Sequence, residues 1–155
     1  MSASPTSAVD AQETHAATWQ RGMETRKAVL GAEHVERSMN GVSEFARPMQ
    51  DLVTEYCWGA IWTRDGLDRK TRSMINLGML TALGRNHELA VHVRGAIHNG
   101  CTPEEIREVL MQTAIYVGVP AALESFRTAE QVLRDMGQLT QSDTTANGAT
   151  PRRAG

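Results

Sequence analysis

From Trp19 to Met136 the apolar residues recur every three or four positions, and no segment alternates as a strand would. Trp19, Met23, Val29 and Leu30 stand among charges and predict a helix over 17–30, stopped by Gly31. A short helix is expected over 33–40. Pro48 suits a first helical turn, and from there PMQDLVTEYCWGAIW brings Leu52, Tyr56, Gly59 and Trp62 near one face. Gly66 breaks the chain. Asp68 can cap the next helix, DRKTRSMINLGMLTALG, which ends at Gly84. Its stretch from Met74 to Leu83 is apolar almost all round, which predicts a central buried helix. Asn86 can cap HELAVHVRGAIHN, closed by Gly100. Thr102-Pro103-Glu104-Glu105 is the strongest local signal: a capping hydroxyl, a proline at the first helical position and Glu105 to reach back. That helix should run to about Val117, with Gly118 as its stop. Pro120 can open a last helix ending near Met136, with Gly137 behind it. The pattern predicts an all-α fold of about six helices.

Outside residues 16–138 the pattern ends. Residues 1–15 are rich in Ser, Ala, Thr and Pro, and residues 139–155 hold almost nothing to bury, so both are expected to be disordered tails around one domain. Sixteen Lys and Arg against 18 Asp and Glu leave a net charge of -2, without the basic excess of a nucleic-acid binder. No apolar run approaches the roughly 18 residues of a membrane span. The first twenty residues lack the basic start and apolar core of a secretory signal. Aromatic residues are only 5% while Met numbers 8, a composition suited to helix-on-helix packing. Cys57 and Cys101 lie far apart, with no CxxC and no Cys/His cluster at metal spacing. Two reduced thiols in a cytoplasmic protein are expected; a disulfide or a thiol nucleophile are the alternatives.

His92 is the leading candidate for chemistry. It borders the apolar face made by Leu89, Val93, Ala96 and Ile97, and Glu88 lies one turn before it, able to orient the ring. An imidazole there, beside a carboxylate, has a pKa poised near neutrality, the condition for acid–base work. A core histidine satisfied by a backbone carbonyl fits the same pattern. Arg72 and Arg85 flank the apolar helix, where a guanidinium fork can grip a carboxylate. Arg94 and Glu55 are further candidates for the same pocket, and Arg64 and Arg69 add charge around the 63–72 loop. Any of these arginines also fits ordinary solvated charge. Trp58 and Trp62, one turn apart, suit either a core or a ligand-stacking wall. His15, His34, His87 and His98 sit among polar residues and read as surface. No phosphate loop, G-x-S-x-G elbow or HExxH is present, so no metal or nucleotide is called for.

The stretch YCWGAIWTRDGLDRKTRSMINLGMLTALGRNHELAVHVRGAIHNGCTPEEIREVLMQTAIYVGVPAALESF resembles the 4-carboxymuconolactone decarboxylases of the β-ketoadipate pathway of protocatechuate catabolism. RGMETRKAVLGAEHVERS is similar to the start of those enzymes. W-G-x-I-W-T-R-x-G-L-D-R-x-T-R-S and H-V-R-x-A carry the likeness, which spans about residues 20–135. The wider superfamily holds thiol peroxidases similar to AhpD, with C-x-x-C-x-x-x-H on the helix that here reads HELAVH. Anchored on His92, that pattern sets Arg85 and Glu88 where the two thiols would be. A redox role needs a thiolate and a resolving partner, and Cys57 and Cys101 sit in other segments.

The resemblance implies an AhpD-like helical fold, assembled as trimers or hexamers, and a carboxy-lyase acting on a small dicarboxylate lactone with no cofactor. His92 would then be proton donor or oxyanion donor, with Glu88 orienting it. Arg72 and Arg85 would anchor carboxylates, and Trp58 or Trp62 would wall the leaving group. The rival classes are a thiol peroxidase, a catalytically inactive helical assembly protein, and a phosphotransfer module. The last needs a solvent-exposed histidine, which the border of an apolar stripe does not offer.

Overall fold

The computed structural model describes residues 14–140, which form seven α-helices and one π-helical segment. They are α1 (His15–Leu30), α2 (Ala32–Asn40), α3 (Arg47–Leu52), the π-segment (Val53–Ile61), α4 (Arg69–Ala82), α5 (Asn86–His98), α6 (Pro103–Tyr116) and α7 (Val119–Asp135). The all-α expectation holds. The first helix begins at His15, just inside the stretch assigned to a tail; the remaining tail positions, 1–13 and 141–155, lie outside the described residues.

The local signals explain most of the boundaries. Thr14 caps α1 by accepting from the Ala17 amide, and Asp68 caps α4 by accepting from the Thr71 amide at 2.7 Å. Thr102 and Glu105 form the reciprocal capping box that starts α6. The expected stops Gly31, Gly84, Gly100, Gly118 and Gly137 all take positive φ. One cap differs. Arg85, not Asn86, precedes α5 and no side chain caps it; Asn86 is already helical and donates instead to Glu124 of α7.

The π-segment is the main departure from the expected pattern. It continues α3 without a break, and its wider turn is closed by bonds such as Trp62 N–H to Cys57 O at 3.0 Å. The expected face of Leu52, Tyr56, Gly59 and Trp62 assumed α-helical turns. In the wider helix Thr54, Trp58, Gly59 and Trp62 point inward, while Leu52 and Tyr56 are exposed. Two glycines bring α1 against this segment. A Cβ on Gly22 would sit 2.0 Å from the Thr54 carbonyl oxygen, and one on Gly59 would sit 2.3 Å from that of Thr18. Only hydrogen fits at either position. Arg26 of α1 is buried across the same junction, donating to Thr54 Oγ1 at 3.2 Å and Gln50 Oε1 at 3.0 Å.

Two hydrophobic cores result. One joins α4 to α7 through Leu77, Leu89, Val93, Ile106, Leu110 and Val132. The other joins α1, α2 and the π-segment through Val29, Leu30, Val35, Trp58 and Trp62. Helix α5 meets both, with Leu89, Val93 and Ala96 in the first and Val91 packed on the second. The expectation of a fully buried central helix does not hold in the single chain. Helix α4 buries only Ser73, Leu77 and Thr81, while Ile75, Met79 and Leu83 remain 44–69% exposed. Among the described residues no helix is long and apolar enough to cross a membrane.

Candidate active site

His92 projects from α5 to the place where the two cores meet. Trp58 on the π-segment and Trp62 just after it pack against each other with ring centroids 5.0 Å apart and planes tilted by 31°. Their centroids lie 6.2 and 6.4 Å from that of the imidazole, tilted from it by 6° and 26°. Near-parallel rings on this scale fix the plane of the imidazole. From α4, the amide nitrogen of Asn76 stands 3.4 Å from Nδ1. Both indoles are at least nine-tenths buried, so they are core residues and the wall of the site at once.

Burial holds the His92 pKa below the ordinary histidine range, with the charge of Glu88 working weakly the other way. The ring is therefore neutral at pH 7, not poised at its titration point as the sequence suggested. The role expected of Glu88 also changes. Its side chain is exposed and has no hydrogen bond to the ring; it acts by charge alone, and Asn76 is the group in contact.

The arginines divide. Arg72 stands one helical turn before Asn76, so the two share a face of α4. Its Nη2 donates to the carbonyl of Arg64 at 2.9 Å, and its Nε is buried without a partner. No carboxylate among the described residues pairs with it. Arg85 is exposed and unpaired at the other end of α4, about 20 Å along the axis at 1.5 Å per residue. The two do bracket the helix, as expected, but only Arg72 is within a turn of the ring's amide partner. Arg94 points to the other side of α5, where it pairs with Asp135 of α7 at 3.8 Å. Glu55 pairs with His15 across the α1 junction. Neither is brought to the ring.

Beside Trp62, on the side of α1, opens a cleft of about 660 Å³. Arg21, Arg64 and Arg69 line it, opposed by Glu24, Asp65 and Asp68. Cys57 and Cys101 are free, the first exposed and the second in the core of α4 to α7, so they form no thiol pair. Among the described residues no three His, Cys, Asp or Glu converge as a metal site would require. Sequence reasoning missed Asn76, although a single amide within the run Met74 to Leu83, one turn from Arg72, is a visible signal. It also missed Arg26, whose burial depends on the π-segment.

The described domain is thus a helical scaffold presenting a buried, amide-bonded histidine against a pair of indoles. A profile of the carboxymuconolactone decarboxylase family matches residues 47–131. The chain is 42% identical over 124 residues to a nitrosuccinic acid decarboxylase of Metarhizium robertsii, covering 80% of this chain and 87% of that protein. It is 38% identical over 119 residues to a 4-carboxymuconolactone decarboxylase of Acinetobacter baylyi, covering 77% and 89%. An uncharacterized 15.0 kDa protein of Paracoccus denitrificans is 31% identical over 116 residues. The chain belongs to the carboxymuconolactone decarboxylase family and is a carboxy-lyase of that family.

Proposed function

We propose that this chain converts 4-carboxymuconolactone to β-ketoadipate enol-lactone in the cytoplasmic breakdown of protocatechuate, as a homo-oligomer and without a cofactor. The observation that carries the reading is His92 facing the Trp58–Trp62 pair and touching Asn76, one helical turn along α4 from an Arg72 that no carboxylate among the described residues pairs with. The substrate supplies its own electron sink. When the ring carboxylate leaves as CO2, its electron pair moves through the ring double bond onto the lactone oxygen. The protein has three tasks: hold two carboxylates, stabilise that oxygen, and let a proton reach the carbon next to the carbonyl.

Arg72 suits the acetate arm, which is retained. Gripping the departing carboxylate equally hard in ground and transition states would not lower the barrier. The dry indole wall suits the leaving group, which loses its charge as it departs.

A second substrate is favoured by the relative that is 42% identical, named for nitrosuccinic acid. That acid also carries two carboxylates, and a nitro group can take up an electron pair as a lactone carbonyl does. The test is a direct comparison. Each dicarboxylate is offered to the purified chain, and CO2 release is followed together with loss of the lactone or of the nitro acid. Turnover of the lactone at least tenfold above that of nitrosuccinate supports the first reading, and the reverse supports the second. No CO2 from either at high enzyme concentration overturns both. Removing an oxyanion donor costs about 10²–10³ in rate, so His92→Ala should lower kcat by roughly that factor with the helical spectrum intact. Arg72→Met should raise KM about tenfold or more, since a charge-assisted bond is worth roughly 1.5–3 kcal/mol.

A further inference from the structure

We infer that Asn76 holds His92 as the Nε2–H tautomer, so that the ring serves as a fixed hydrogen-bond donor to the substrate oxygen that gathers charge, while the proton completing the reaction comes from water. The inference rests on the decarboxylase reading above and assigns the work of its central residue.

The argument starts with what each atom can do. The amide nitrogen of Asn76 only donates, and it stands against Nδ1 of His92. A donor at Nδ1 needs a lone pair there. A neutral imidazole has one lone-pair nitrogen and one N–H, so the proton sits on Nε2. At 3.4 Å the contact is long, and it has room to shorten in the substrate complex. The stacked indoles stop the ring from turning, so the Nε2–H direction is set before the substrate arrives.

The surroundings favour the neutral ring. The π-segment turns two uncharged indoles to it and α4 turns an amide. Glu88, on its own helix, is the charge it feels. Of the other helices on α5, α1 packs Val29 and Leu30 against Gly95, α6 contributes Ile106 and Leu110, and Asp135 of α7 is taken by Arg94. His34 of α2 feels the charges of Arg37, Arg26, Arg94 and His87. Burial adds to this by disfavouring the imidazolium.

A neutral ring is a poor acid. Giving up the Nε2 proton would leave an imidazolate, and no cation bonds to the ring to support one. The step therefore runs as follows. The bond from the γ-carbon to the carboxylate breaks, CO2 departs, and the electron pair arrives at the lactone oxygen, which accepts the Nε2–H bond. The pair then returns to form a bond between the α-carbon and a proton from water. The hydroxide left over combines with CO2 as bicarbonate, so atoms and charge balance.

Nitrogen-15 NMR of histidine-labelled enzyme reads the tautomer without substrate. The expected result is a protonated Nε2 and an unprotonated Nδ1 for His92, and a kcat that stays level from about pH 6.5 to 8. Asn76→Asp replaces the donor by an acceptor. It should move the proton to Nδ1 and lower kcat by on the order of 10²–10⁴ with KM changed less than about threefold. Asn76→Leu, which keeps the side chain's branching but removes the donor, should lose the tautomer preference without reversing it. A protonated Nδ1 in the wild-type ring would overturn the assignment. So would a kcat falling tenfold per pH unit on the alkaline side, the mark of an imidazolium donor. Failure of the decarboxylase reading is seen separately, as absence of CO2 from either dicarboxylate while the NMR result stands.

Discussion

A histidine that is neutral when folded and chargeable when unfolded ties stability to pH. Burial lowers the pKa of His92, and burial together with Arg37, Arg26, Arg94 and His87 lowers that of His34. Between the lowered folded values and the unfolded 6.5, the unfolded chain binds more protons, so stability rises with pH. The contribution is whole above pH 6.5 and is lost as pH falls towards the folded values. Urea midpoints should therefore drop between pH 6.5 and 5, and the double variant His34→Gln, His92→Gln should flatten that slope; an unchanged slope would rule the two rings out as its source. At this scale the sequence was informative where chemistry sits on a periodic face. The border of an apolar face singled out His92, the one-turn interval paired Trp58 with Trp62, and Arg72 was named for flanking the apolar helix. The companion of His92 was not identifiable, because proximity along α5 favoured Glu88, whereas the contact comes across the α4–α5 pair from Asn76.

Most α-helices were legible because their starts and stops are written in local chemistry, with Asp68 and Thr102 as caps and glycines as ends, whereas the Thr14 cap of α1 lies in the stretch expected to be a tail. The π-segment was not legible. Its wider turn leaves no composition signal, and a three-and-four spacing reads as ordinary α-helix until the packing partner is known. That partner is α1, whose backbone crosses it at Gly22 and Gly59. The element contact predicts an outcome. Gly22→Ala must push a methyl into the Thr54 carbonyl and Gly59 amide, backbone atoms with nowhere to go. The loss should lie at the upper end of the roughly 1–3 kcal/mol usual for overpacking. Equilibrium urea unfolding measures it, and a change within about 0.5 kcal/mol, the range of neutral surface substitutions, would show that the two elements can separate at little cost.

The whole chain exposes more apolar surface than its fold explains. Ile75, Met79 and Leu83 on α4, Ile115 and Tyr116 on α6, and Val119 and Leu123 on α7 are all at least 44% exposed, with Ile115 and Tyr116 at 82%. The all-round apolar pattern of α4 led to an expectation of burial that the single chain does not meet. In the proposed trimer or hexamer further copies bury it, since shared apolar faces are the usual resolution of such surfaces. Light scattering on a sizing column should give a mass of three or six chains, and Ile115→Glu with Tyr116→Glu should release smaller species. A wild-type monomer at micromolar concentration would refute the assembly.

The meeting of two hydrophobic cores at α5 also bears on how the molecule comes apart. The indoles belong to one core and helix α5 packs on both, so the His92 ring lies on a seam. Units of a small domain open with different free energies. If α1, α2 and the π-segment detach as one such unit, the stacked wall leaves His92 while α4 to α7 still hold their own core. Activity should then fade at a lower urea concentration than helical content, and amide exchange should be faster along the π-segment than at Leu77 or Leu110. Such a seam would make the proposed site the earliest casualty under stress.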